Sequence, residues 1–206
     1  MKTLPRLLLI ADRFTRPDVA HRVRMAVQRG VPWVQFRDHE ASMDAIEFTT
    51  EALLRDLYRL NPDVLVSMNS HLTRAEALNL PLHTGFHGVS TTEAVNVLGD
   101  NHLVGTSVHS RFEAVDAFRD GAKYVTFSPV FDSPSHPQQK GWGVDMLAKV
   151  CQAVPEIPVI ALGGITPERV AECLRAGAHG VAAHSGLLRN IEHTDTVSGY
   201  LAALKT

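Results

Sequence analysis

The stretch from Pro158 to Gly186, PVIALGGITPERVAECLRAGAHGVAAHSG, carries the densest chemical pattern in this chain. Two apolar runs, Val159–Leu162 and Val181–Ala183, each end in small residues. A punctuated helix lies between them, with Thr166 as N-cap, Pro167 at the first helical position and Gly177 just past the end. Gly163 and Gly164 expose backbone N–H groups with no side chain in the way, and His184 and Ser185 end the second run. Such donors beside a helix N-terminus suit an anion, phosphate above all. Strand, glycines, helix, strand and small polar turn is how a βα barrel assembles a phosphate site from its last two loops.

Other residues could orient that anion or move a proton. Gln35 and Arg37 alternate with Val34 and Phe36 and so share one face of a strand; Asn69, Ser107 and Ser128 stand at the ends of later apolar runs. Lys140 closes a loop that also holds Ser133, Ser135 and His136. Donors dominate this set and carboxylates are few, which fits an anionic ligand such as a phosphate ester. Among the eleven histidines, His109 and His136 follow predicted strands five and six and are the candidates for acid–base work. His83 and His87 are four apart on a strand-like segment, a spacing that does not make a helical ligand pair; no HExxH or Cys/His metal spacing occurs.

The elements that would position these residues recur with one rhythm. Strands are expected at Leu7–Ala11, Trp33–Arg37, Val64–Met68, Thr84–Gly88, Leu103–Ser107, Tyr124–Ser128, Val159–Leu162 and Gly180–Ala183. Each is followed by enough chain for a helix, and their uniform apolarity suits parallel strands buried on both faces. Gly30, Gly121 and Gly177 each stand four residues before a strand valine (Val34, Val125 and Val181), as expected of left-handed helix ends in repeated βα units. Pro129–Gly143 is too proline-rich for a helix and falls where a barrel carries a functional loop, and the segment from Leu187 should supply a last helix. The expectation is an α/β fold, one (βα)8 TIM barrel spanning residues 1–206.

Composition narrows the partners. A net charge of −2 without a basic run argues against nucleic acid, and the apolar N-terminal run LLLIA is too short to span a membrane. Cys151 and Cys173 both fall on expected helices, consistent with packed thiols in a reducing cytoplasm.

Several motifs, in order along the chain, resemble the thiamine phosphate synthase/TenI family. VQFRD at Val34–Asp38 resembles its V-Q-x-R-x-K strand, and GTSVHS at Gly105–Ser110 its G-x-S-x-H turn. KYVTFSPVF at Lys123–Phe131 is similar to D-Y-V-x-x-G-P-V-F, PVIALGGITPERV to P-V-x-A-I-G-G-I/M-T, and AGAHGVAAHSGL to A-G-A-D-G-V-A-V-x-S-G/A-I. The resemblance implies a barrel of thiamine biosynthesis that holds thiazole phosphate or thiamine phosphate, with Gly163, Gly164 and Ser185 on the phosphate and Ser107 nearby. It also implies a homo-oligomer such as a homodimer.

The departures bear on the reaction. The synthase joins a pyrimidine pyrophosphate to thiazole phosphate and needs Mg²⁺, held by carboxylates in an N-D pair after strand three and an aspartate after strand four. Those positions read Asn69-Ser70 and Thr91 here, the lysine of Q-x-R-x-K is His39, and the lysine expected near Ser135 is absent unless Lys140 replaces it. The TenI branch instead shifts a proton to aromatise a thiazole carboxylate phosphate without metal. Its histidine after strand six falls at Ser128, leaving His109 or His136 to act; the SPV…SHP…GW pattern also resembles TenI-like domains fused behind Nudix hydrolases. The leading expectation is a metal-independent thiazole tautomerase with no cofactor. A synthase with an altered Mg²⁺ site comes second, and a non-catalytic binder of the thiamine pathway third.

Overall fold

The computed structural model describes residues 4–85, 88–133, 138–193 and 195–205. Eight parallel strands follow one another in sequence order and close into a barrel: β1 (Leu7–Asp12), β2 (Trp33–Arg37), β3 (Leu65–Asn69), β4 (Leu82–Thr84), β5 (Val104–Val108), β6 (Tyr124–Phe127), β7 (Val159–Leu162) and β8 (Gly180–Ala183). Helices α1 (Pro17–Gln28), α2 (Met43–Leu60), α3 (Leu72–Leu78), α4 (Thr91–Leu98), α5 (Arg111–Arg119), α6 (Gly143–Ala153) and α7 (Pro167–Arg175) connect them, and α8 (Ser185–Leu188) and α9 (Asp195–Ala203) follow β8. The expected (βα)8 barrel is therefore the fold. Among the described residues no helix is long and apolar enough to cross a membrane.

Alternation along the strands divides the buried residues into two cores. Leu7, Leu9, Val34, Phe36, Val66, Val125, Phe127, Val159 and Val181 face the helices. Leu8, Trp33, Tyr124, Ile160 and Ala182 fill the barrel itself, with Ile10, Leu65, Leu103 and Leu162 against them. The Trp33 and Tyr124 rings meet edge to face at 4.9 Å. Gly105 makes room for this pair: a Cβ there would lie 2.1 Å from Tyr124 Cζ.

The helix ends repeat as the glycine spacing predicts. Gly30, Gly121 and Gly177 have φ of +100°, +94° and +99°. After each, the next residue donates back across the last turn (Val31 to Ala26, Ala122 to Ala117, Ala178 to Cys173), which directs the chain into the following strand. Asn79 after α3 is a fourth instance, with φ +51° and the bond Leu80 to Ala75. Asparagine tolerates this conformation better than other residues with a Cβ. The final helix α9 packs on α7, and the buried Tyr200 hydroxyl donates to the Ile165 carbonyl at 2.8 Å.

Strand four differs from its expected span. Thr84–Gly88 is corrected to Leu82–Thr84, sharing only Thr84. The Asn79 turn delivers the chain into Leu80-Pro81-Leu82 directly, and pairing with β5 runs Leu82 to Val104, His83 to Gly105 and Thr84 to Thr106. Strands three and five each sit one residue later than expected, which brings Asn69 into β3. Ser128 lies one residue beyond β6.

Gly105→Ala should cost at least about 1–3 kcal/mol, the range for forcing a methyl group into a packed core. Denaturant unfolding of the variant, with Trp33 fluorescence as the local reporter, checks this; an unchanged midpoint would contradict the packing described.

Candidate functional site

The C-terminal strand ends form the rim expected to hold ligand. Asp12 on β1 and Arg37 on β2 are register partners and pair as ions across the rim. Below Arg37, Gln35 is buried within the barrel, and its Nε2 has no hydrogen-bond partner. Asp38 is tied into the adjoining loops: its Oδ1 accepts the N–H groups of Glu40 and Ala41, and its Oδ2 the Thr15 hydroxyl at 2.5 Å. Burial pushes this carboxyl up, but the hydrogen bonds outweigh it and hold it below the usual carboxylate range. His71 at the start of α3 bonds through Nε2 to the Asp38 carbonyl oxygen at 3.1 Å.

A buried polar cluster lies beneath the rim on β4, β5 and β6. His83, 2% exposed, places Nδ1 3.0 Å from the Tyr124 hydroxyl and Nε2 2.9 Å from Ser107 Oγ. Thr126 Oγ1 lies 3.2 Å from the same Ser107 oxygen. Burial drives His83 down to about 3 and raises Tyr124, so both are neutral at physiological pH. Ser107 is half-buried and links this cluster to the rim.

His109 stands above Ser107 on the same strand face and is exposed. Its Nδ1 lies 2.7 Å from the Ser128 carbonyl oxygen, and its backbone N–H donates to Glu113. A carbonyl oxygen can only accept, so Nδ1 carries the proton and Nε2 is the basic nitrogen of the neutral ring. The Ser128-Pro129 peptide that supplies this carbonyl is cis.

The segment after Ser128 is clamped on both sides. Val130 and Phe131 donate to the carbonyls of Leu162 and Gly163, at 2.8 and 3.0 Å; Trp142 and Gly143 donate to those of Pro129 and Val130. Gly163 and Gly164 have φ of +99° and +62°. A Cβ on Gly163 would come within 2.7 Å of Pro129 Cα, and one on Gly164 within 2.5 Å of the Asp132 carbonyl oxygen. Arg169 caps the turn, donating to the Gly164 carbonyl at 2.7 Å with its guanidinium over the Phe131 ring. The carbonyls of residues 162–164 are thus engaged by protein, and the turn's N–H groups are what it can offer a ligand. The turn leads into α7, while His184 and Ser185 open α8 next along the barrel.

The donor set does not fit the Mg²⁺ of synthase chemistry. Asn69 donates through Nδ2 to the His83 carbonyl, and its Oδ1 accepts the Ser70 hydroxyl. Thr91, where the second carboxylate is expected, is buried and paired with Thr84 at 3.0 Å. Neutral amide and hydroxyl groups occupied by each other are a poor substitute for the carboxylates this hard cation prefers. Among the described residues no three His, Cys, Asp or Glu side chains form a metal-ligand group.

The structure thus places Gln35, Arg37, Asn69, Ser107 and His109 on or just below one rim, with Ser128 and the Gly163-Gly164 turn joined to it through the β6–α6 segment. Lys140 is exposed near the far end of that segment, beside Gly141, whose N–H donates to Asp132 Oδ1. His136 lies outside the described residues. Sequence reasoning set His83 aside and did not single out Asp12. Asn79 as a left-handed helix end, four residues before His83, was the available signal for the first; Asp12 offered only its position at the end of β1.

Fold and rim together define a (βα)8 barrel enzyme with a donor-rich mouth. The family described as thiamine monophosphate synthase matches residues 7–187, and the chain belongs to this family. It is 34% identical over 190 residues to a thiamine-phosphate synthase of Salinibacter ruber, covering 90% of this chain and 82% of the relative. It is 32% identical to a putative thiamine-phosphate synthase 2 of Aquifex aeolicus, covering 90% and 98%. The thiamine phosphate pyrophosphorylase of Pyrococcus furiosus superimposes with a TM-score of 0.83 at 26% identity, over 97% of this chain and 95% of that one. These relatives carry the name of the synthase rather than of the tautomerase branch that the motif departures favour.

His83 gives a pH signature. Its folded value near 3 lies below the unfolded value near 6.5, so the unfolded chain binds the extra proton between them. Its contribution is complete above pH 6.5 and is lost as pH falls towards 3, by up to about 1.4 kcal/mol per pH unit. Between pH 6.5 and 4.5, unfolding free energy should therefore fall about 1–3 kcal/mol further in the parent protein than in His83→Gln. Equal slopes would show that His83 is not buried neutral.

Proposed function

We propose that the chain binds a thiazole phosphate in thiamine biosynthesis and shifts a proton on its ring without metal. The observation that carries this reading is the fixed tautomer of His109. The Ser128 carbonyl holds the Nδ1 proton and leaves Nε2 basic at the rim. In that arrangement Nε2 removes a ring proton as general base, and the imidazolium returns a proton at the position that completes aromatisation. Gly163, Gly164 and Ser185 take the phosphate in this reading, with His184 beside them. Lys140 adds positive charge, and Arg37, its charge balanced by Asp12, offers N–H donors; Gln35, Asn69, Ser107 and Ser128 supply polar contacts to the ring side.

The relatives' names favour a second reading, condensation of a pyrimidine pyrophosphate with thiazole phosphate. The neutral Asn69, Ser70 and Thr91 set stands against it. One experiment separates them. Purified protein is given the unaromatised thiazole carboxylate phosphate without metal, and separately the two synthase substrates across a Mg²⁺ series. Tautomer conversion followed by NMR above a no-enzyme control is the expected result, and Mg²⁺-dependent pyrophosphate release in its absence would replace it with the synthase. Tight calorimetric binding of thiazole phosphate with neither turnover would select a binding protein.

Two variants test the roles. His109→Gln should lower tautomer conversion by about 100-fold or more, the usual contribution of a positioned acid–base group, with thiazole phosphate binding retained. Gly164→Ala should displace the Phe131–Asp132 segment and weaken thiazole phosphate binding, read by calorimetry, while the barrel stays folded by circular dichroism.

A further inference from the structure

The buried cluster beneath the rim has a direction. Of the two hydroxyls that flank the His83 ring, the Tyr124 phenol is the more acidic and hence the stronger donor, so it directs its hydrogen to His83 Nδ1, 3.0 Å away. Neutral His83 then carries its single proton on Nε2 and donates it to Ser107 Oγ at 2.9 Å. Ser107, with a lone pair occupied by that bond, has its own hydrogen to give to Thr126 Oγ1 or towards the mouth. The Tyr124 ring is packed in place: it fills the space that a Cβ on Gly105 would take, and Trp33 packs edge-on against it.

We propose that Tyr124 and His83 form a one-way hydrogen-bond chain that presents the Ser107 hydroxyl as a donor to an acceptor atom on the bound thiazole. His83 and Tyr124 are then positioning residues acting through Ser107, and the site prefers ligands with a lone pair or negative charge at that point. The ligand's identity rests on the thiazole phosphate reading; the direction of the chain is a property of the unliganded protein.

Long-range ¹H–¹⁵N correlation of the His83 ring in the full-length protein reads that direction without any ligand. The expected result is a proton on Nε2 and a bare Nδ1, unchanged between pH 5 and 8, with Tyr124→Phe shifting the ring towards the Nδ1–H tautomer. A proton on Nδ1 in the parent, or a Tyr124→Phe spectrum with the parent's tautomer, would overturn the proposal. In the conversion assay, Tyr124→Phe and Ser107→Ala should each lower kcat about five- to tenfold with little change in KM, and Ser107→Thr should restore it. An unchanged kcat in Tyr124→Phe would remove the positioning role. If the parent shows no turnover, the functional reading fails and the tautomer alone decides the chain's direction.

Discussion

The site depends on one close backbone approach, that of Pro129–Asp132 to the Gly163-Gly164 turn. Two glycines with positive φ let the backbones come together where any Cβ would collide, and the hydrogen bonds from Val130 and Phe131 hold them there. The phosphate-side turn and the carbonyl that orients His109 therefore belong to one clamped unit. The residues proposed to hold the ligand and the residue proposed to react with it are fixed relative to each other by backbone, not by mobile side chains.

Beneath that unit, the barrel trades apolar filling for polar order on one side. Leu8, Ile160 and Ala182 pack one part of the interior, while His83, Ser107, Thr126 and Tyr124 satisfy one another in the other. A buried polar cluster of this kind is stable only because its members are paired, and the depressed His83 shows what charging it would cost. The same economy appears where synthase chemistry would need carboxylates. Thr84, Thr91, Asn69 and Ser70 close on each other as neutral pairs and leave no charge to be balanced by a cation.

Much of this was legible in the sequence, and the failures have physical reasons. Compact apolar runs such as Trp33–Arg37 and Val159–Leu162 marked their own limits, and Gly30, Gly121 and Gly177 marked the turns before three strands. β4 was misplaced because three residues, Leu82–Thr84, show almost no alternation, and because its turn uses Asn79 where the other repeats use glycine. His83 was consequently set aside although it lies at the centre of the buried cluster. The Asp12–Arg37 pair and the Thr15–Asp38 bond join distant segments, and nothing local in the sequence marks such partners. The family was legible from motif order; the reaction was not, because it turns on which neutral or basic groups face the ligand.

A crystal structure of the protein with thiazole phosphate bound tests the central claim most directly. The account predicts the phosphate on the N–H groups of the Gly163-Gly164 turn and Ser185, with His109 Nε2 about 3–3.5 Å from the ring atom that loses its proton. A phosphate seated elsewhere, or a ring held beyond reach of His109, would contradict it.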